Sequence, residues 1–271
     1  MNKIIGDISG GLGNLLFDCA HLYTIGKQLN IPVEYHLRSS FRPSIDMINR
    51  DTQINEWKRY KYDRIFRNFD IKFDEVEPTK YISSSIFSFC KNPGYFLGLG
   101  IDHIALRNCW PSFEDLTPKE IQDLFSIDQQ TKQEIEEKYG NILSLDNKVS
   151  INVRRGDYLL LQNNILNLLD KTSFYQDAIS ICPPDSNFIV ISDGIEDCKK
   201  YFKGEKFHFI EDSTPLDDFY LQTYCYINII PNSTFSHWAA YVNKTPDQIV
   251  IKSIHNKDFN FIKENTKVIY L

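Results

Sequence analysis

Apolar positions recur with two periods along this chain, and the switches between them mark out its elements. Residues 3–8 form a short β-prone run and residues 10–13 a glycine-rich stretch, after which Leu15, Leu16, Cys19, Leu22, Tyr23 and Gly26 recur at helical spacing through residue 29. Strand, glycine turn and helix are predicted in that order, with a second strand over 31–36. From 37 to 111 aromatic and basic residues crowd together without a clean period, and no element is predicted there. Over 117–139, Thr117, Pro118 and Glu120 lead into a run of Glu, Gln and Lys. This predicts a surface helix or helix pair opened by a capping threonine and an early proline, ahead of a hinge.

Beyond Asn147 the pattern becomes regular. Strands are predicted over 149–153, 188–191, 207–210, 226–230 and 249–251, and helices over 173–181, 195–202, 216–224 and 233–242. Short apolar strands alternating with helices imply right-handed βαβ units on a parallel sheet. The expected fold class is α/β, with two Rossmann-like lobes, 1–145 and 146–271, facing across a cleft. Ligands belong near the carboxyl ends of the strands.

The length of 271 residues suits one large domain or two modest ones, and the 42% hydrophobic and 24% charged content is that of a globular chain. With 30 Lys and Arg against 36 Asp and Glu, the net charge of −6 argues against a broad nucleic-acid surface and leaves room for a local basic pocket. No apolar run approaches the roughly 20 residues that span a bilayer, and the N-terminus turns glycine-rich too early for a signal peptide. A cytoplasmic protein is expected, compatible with association at a membrane surface; the oligomeric state is left open. Six cysteines (Cys19, Cys90, Cys109, Cys182, Cys198, Cys225) without a C-x-x-C pair suggest buried thiols, not a zinc or redox site. The sequons at Asn232 and Asn243 carry no weight without a secretory signal.

Four segments could carry chemistry. Ser9-Gly-Gly-Leu-Gly-Asn14 lies between a strand and a helix, where backbone amides approach a phosphate or sugar, although a ligand-free tight turn reads equally well. In Val149–Tyr158 two arginines emerge as a strand ends. Arg154 and Arg155 suit a diphosphate, one of them being structural because neighbours point to opposite faces; the other reading is an Arg155–Asp157 pair stabilising the turn. Asp193 follows a third strand, where it receives a ribose or base; an equal reading is that Ser192 or Asp193 caps the next helix. Ser233 and Thr234 open a helix and offer donors to phosphate, or simply cap it. The chain has no D-x-D pair, so basic side chains and helix dipoles would neutralise phosphates without a metal.

Together and in order, GGLGNLLFDCA, VSINVRRGDY, FIVISDGIEDCKKYF and NIIPNSTFSHWAAYVN resemble the four motif regions of the α-1,2-fucosyltransferases, glycosyltransferase family 11. The resemblance implies a two-lobed GT-B fold, an acceptor-side first lobe, a donor-binding second lobe, GDP-fucose as donor, no metal or other cofactor, and inversion at the fucose anomeric carbon. By similarity Asn14, Asn152, Arg154, Arg155, Asp193, Asn232, Ser233, Thr234 and Phe235 serve the donor. Arg155 is favoured over Arg154 for the diphosphate, so that Arg155→Ala is expected to weaken GDP binding and abolish transfer. Asp157 is the one nameable base, although pairing with an arginine is an equal reading for it.

The family usually carries G-G-L-G-N-Q, H-x-R-R-G-D, S-D-D and N-S-T-F-S-W-W. Leu15, Asn152, Gly194 and His237 depart from this, and Asn152 cannot act as a base. With its first motif about ten residues from Met1, the chain resembles soluble bacterial or viral members that build surface glycans. The alternatives are a same-fold transferase for another nucleotide sugar and a non-catalytic nucleotide- or glycan-binding protein. Trp57, Arg59, Tyr60, Tyr62, Arg64 and Trp110 are either acceptor contacts or, individually the better reading, core.

Overall fold

The computed structural model describes residues 3–37, 50–74, 81–83, 103–105, 116–159, 167–256 and 266–271. The chain divides into two compact units, Met1–Asp128 and Gln129–Leu271. The division falls ahead of the polar helical stretch at 129–138.

In the first unit the elements are β1 (Ile4–Ile8), α1 (Leu12–Leu29), β2 (Val33–Leu37), α2 (Arg50–Arg59), β3 (Ile71–Lys72), β4 (Tyr81–Ser83), β5 (His103–Ala105) and α3 (Pro118–Leu124). The strands form one parallel sheet in the order β3-β2-β1-β5-β4. The predicted strand, glycine turn, helix and second strand are all present. α1 buries Leu15, Leu16, Cys19 and Leu22 and stops at Asn30, whose left-handed backbone lets its amide close on Gly26 O and Lys27 O. α3 begins with the expected capping box, Thr117 and Glu120 each serving the other's backbone amide. Trp57 and Tyr62 are core, and Trp57 stacks on Phe66 at 5.0 Å. Trp110 lies outside the described residues.

The second unit carries α4 (Gln129–Lys138), α5 (Gly140–Leu143), β6 (Lys148–Val153), α6 (Leu168–Lys171), α7 (Phe174–Ser180), β7 (Asn187–Ser192), α8 (Ile195–Tyr201), β8 (Phe207–Phe209), α9 (Pro215–Thr223), β9 (Ile227–Ile230), α10 (Thr234–Val242), β10 (Ile249–Lys252) and β11 (Lys267–Tyr270). The strands are again parallel, in the order β11-β10-β9-β6-β7-β8. One face of the sheet packs Val149, Ile151, Val153, Val190, Ile229 and Ile251 against Leu168, Tyr175, Ala178, Cys198 and Phe202 of α6, α7 and α8.

The opposite face meets α9 and α10 and buries amides. Asn228 Nδ2 donates to Ser150 Oγ (2.7 Å) and Gln222 O (2.8 Å), while Gln248 Nε2 donates to Asn228 Oδ1 (2.6 Å). Asn243, fully buried, donates to Cys225 O at 2.8 Å and so cannot serve as a glycosylation acceptor in the folded chain. Cys19, Cys182, Cys198 and Cys225 are buried free thiols; burial pushes the Cys225 thiol up to about 12. Among the described residues no helix is long and apolar enough to cross a membrane.

Candidate functional site

Three of the four motif segments come together at the carboxyl ends of β9, β6 and β7, which are neighbours in the second sheet. Ile230 ends β9 three residues before Ser233, Val153 ends β6 just before Arg154, and Ser192 ends β7 just before Asp193. Arg154 meets the β7 turn directly and the β9 turn through Tyr158. Its Nη1 lies 2.8 Å from Asp193 Oδ2 and its guanidinium carbon 4.8 Å from the centroid of the Tyr158 ring, while Tyr158 Oη donates to Asn232 O at 2.9 Å. With a side chain 29% exposed, Arg154 is open to a ligand.

Arg155 points the other way, as adjacent residues leaving a strand must. It is 7% exposed, and its guanidinium is held inside the unit. Nε and Nη2 donate to Asp197 Oδ2 (3.2 and 2.9 Å), and Nη1 to Asp170 Oδ2 (2.7 Å) and Asn167 Oδ1 (3.1 Å). Burial works against the Arg155 charge, but its bonds to Asp170 and Asp197 outweigh this and raise its pKa. Burial likewise pushes Asp170 upward, and Tyr201 Oη, Arg155 and Asn167 overcome it, holding this carboxyl at about 2. Asp170 and Asp197 are thus the carboxylates that hold Arg155 among the described residues. Asp157 opens the 3-10 turn Asp157–Leu159, and its side chain lies outside the described residues.

Asp193 does not cap α8. Its Oδ1 accepts from the Arg155 amide at 2.6 Å and its Oδ2 faces Arg154, whereas Gly194 is the N-cap and donates its amide to Ser192 Oγ at 3.0 Å. The departure at Gly194 has a steric cause: a Cβ there would stand 2.7 Å from Arg155 Cβ and 2.9 Å from its Cγ. Arg155 is held at its far end and cannot retreat. Gly194→Ala is therefore expected to destabilise the protein by about 1–3 kcal/mol, with Gly194→Asp, the family's usual residue, costing at least as much. Thermal unfolding of the two variants checks this; unchanged midpoints contradict it.

At the third turn Ser233 is the N-cap of α10, but its side chain makes no cap. Asn232, Thr234 and Phe235 are half-buried beside it, and Phe235 meets the Phe219 ring edge-on at 5.8 Å. Asn152, on the face of the sheet that carries Ser150 and Asn228, is buried, and its Oδ1 has no hydrogen-bond partner among the described residues. Asp218 escapes the motif reading. It sits in the first turn of α9, beside Asp217, which forms the capping box with Thr214. Burial raises the Asp218 carboxyl to about 7, despite a hydrogen bond to Ser213, with help from the charges of Asp217 and Asp193. Its Oδ1 also lacks a partner among the described residues. The second carboxylate of Thr214-Pro-Leu-Asp-Asp218, left over once the capping box is assigned, is the signal that could have found it.

The fourth segment lies in the first unit. Gly10 turns with φ +96°, a backbone that favours glycine, and its α-carbon has Asn14 close above it: a Cβ would meet Asn14 Nδ2 at 2.8 Å. Ser9 N donates to Asp18 Oδ2 (3.0 Å) and Gln53 Nε2 to Gly10 O (2.9 Å), which fixes the turn. Leu15, where the family has glutamine, is buried in α1.

Two parallel α/β sheets, the second with Arg, Asp and helix-opening Ser-Thr turns at its carboxyl edge, give the chain a GT-B-like fold. Glycosyl transferase family 11 matches residues 94–271, and the chain belongs to that family. It is 28% identical to an alpha-1,2-colitosyltransferase of Escherichia coli, covering 89% of this chain and 88% of that one. It is 24% identical to the O-antigen biosynthesis glycosyltransferase WbnK of the same organism, over 90% and 91% of the two chains. Among solved structures it resembles the fucosyltransferase NodZ from Bradyrhizobium, with TM-score 0.52 at 12% identity over 88% and 93% of the chains. NodZ α-1,6-fucosyltransferase soaked with GDP-fucose gives TM-score 0.50 at 14% identity over 89% and 93%.

Proposed function

We propose that this chain transfers L-fucose from GDP-fucose to a glycan hydroxyl, O2 of a galactoside, in the assembly of a surface polysaccharide. The carrying observation is the convergence on Arg154 of three turns from neighbouring strands. Arg154 and the opening of α10 with Ser233 and Thr234 are the groups for the diphosphate, and their positive ends make a metal unnecessary. Asp193 aims Arg154 and lies toward the ribose. Asn152 and Asp218 supply buried acceptor oxygens on the α9–α10 face, which suit a base edge rich in donors such as guanine N1–H and N2–H. Arg155 acts as a positioning residue, fixing the turn that presents Arg154.

In the reaction the acceptor oxygen attacks the fucose anomeric carbon from the side opposite GDP. The bond from that carbon to the phosphate oxygen breaks, and GDP departs with the electron pair, its charge met by Arg154 and α10. Asp157 is the group proposed to take the acceptor proton, and Asn14 is proposed to serve the donor sugar. The colitosyltransferase relative favours a second reading, in which the same machinery takes another GDP-sugar. Release of GDP from GDP-fucose and from GDP-colitose, each with galactoside acceptors and EDTA present, separates the two. Faster release from GDP-fucose supports the first reading, faster release from GDP-colitose the second, and release from neither contradicts both.

Asp218 adds a pH dependence. With its carboxyl near 7 in the free protein, only the ionised form offers an acceptor to each of the two guanine N–H groups, so GDP affinity is expected to rise by up to tenfold per unit as the pH climbs to 7 and to level off above it. Asp218→Asn flattens the profile if the assignment holds; an unchanged profile removes Asp218 from the base site.

A further inference from the structure

The carbonyl of Ser233 receives three donors: the His237 amide at 3.2 Å, His237 Nδ1 at 2.8 Å and Ser236 Oγ at 3.3 Å. A carbonyl oxygen only accepts, so the proton of the His237 ring must sit on Nδ1. His237 is buried, and burial first, then the nearby Lys252 charge, hold the ring neutral by lowering its pKa to about 3 against the bond to Ser233. The other ring nitrogen, Nε2, is then an acceptor.

Lys252 supplies the matching charge. It ends β10, is fully buried, and its Cα is paired with that of Ile230, the last residue of β9, three residues before Ser233. It shares the α10 face with Val250, which packs with Ile230 and Ala240, and its Nζ lies 5.6 Å from the Tyr270 ring centroid. An ammonium only donates, so beside a neutral imidazole it favours the tautomer with a lone pair on Nε2.

We infer that His237 is a positioning residue for the donor diphosphate: Lys252 holds its ring in the Nδ1–H tautomer, and the ring holds the Ser233 carbonyl so that the Ser233 hydroxyl is kept out of the helix cap and serves the ligand. The inference rests on the GDP-sugar reading of the same site. It explains why the N-cap residue of α10 makes no side-chain cap although it is a serine. With the carbonyl gripped from the helix side, the turn keeps its extended backbone (φ −142°, ψ 125°).

The test combines calorimetric GDP titration of wild type, His237→Ala, His237→Asn and Lys252→Met with nitrogen NMR of the wild-type ring. Asparagine places an N–H where Nδ1 stands, so it is expected to keep GDP affinity within about threefold of wild type, while alanine loses about tenfold and Lys252→Met falls between. NMR is expected to show the Nδ1–H tautomer at pH 7. An Nε2–H or charged ring overturns the inference, as does wild-type affinity in His237→Ala or no rescue by asparagine. If His237→Ala does not fold, His237→Asn and the tautomer still decide. A wild-type protein that binds no GDP overturns the GDP-sugar reading along with it, whereas normal wild-type binding with indifferent variants overturns this inference alone.

Discussion

Arg154→Ala is expected to lower kcat/KM about 100-fold, or ~2.7 kcal/mol at 1.36 kcal/mol per decade, with the thermal midpoint almost unchanged. The side chain is 29% exposed and joins Asp193 and the Tyr158 ring at the site's open edge, so its loss removes ligand contacts without opening the core. Charge-assisted bonds to a diphosphate contribute about 1.5–3 kcal/mol, which sets the scale. Arg154→Lys keeps the charge but loses the planar fork and the flat stacking on Tyr158, and recovers only part of the activity. Kinetics and unfolding on the same preparations check the pattern; a variant with wild-type turnover excludes Arg154 from the diphosphate site.

Arg155→Ala is expected to act on stability first. Removing the guanidinium takes away the cation shared by Asp170 and Asp197; both carboxylates are partly exposed and keep Tyr201 and Lys200 respectively, so the loss is about 1–3 kcal/mol. At roughly 2–4 °C per kcal/mol for a chain of this size, the midpoint falls by about 5 °C. The same change in an Asp170→Asn, Asp197→Asn background should cost much less, because no orphaned charge remains. The sign with pH follows from Asp170. Its carboxyl is lowered from 3.8 to about 2, so the folded state binds fewer protons between those values. Its stabilisation is complete above about pH 4 and is lost as the pH falls toward 2. Equal midpoints for Arg155→Ala and wild type contradict the structural role, and a loss of GDP affinity without loss of stability returns Arg155 to the diphosphate.

Much of the second unit was legible because its strands are buried on both faces and its helices keep one apolar stripe, so the two periods show clearly from Lys148 to Lys252. In the first unit β3, β4 and β5 span two or three residues each, too few to display any period. At the site the convergence of RRGDY, SDG and NSTFS follows from strand order, and the opposite facing of the two arginines follows from the pleat. Which arginine faces outward does not, because the answer lies with Asp170 and Asp197, 15 and 42 positions away in the chain. Gly194 stands out as a departure from a pattern, yet its reason, the crowded Arg155 Cβ, is tertiary.

The most direct measurement is calorimetric titration of the protein with GDP and with UDP in EDTA, followed by GDP release from GDP-fucose in the same sample. Tight GDP binding, weak UDP binding and release of GDP from GDP-fucose are predicted, with Arg154→Ala weakening GDP binding and release together. Equal binding of the two nucleotides, or release that requires an added divalent metal, contradicts a site that reads guanine with Asn152 and Asp218 and neutralises phosphate with Arg154.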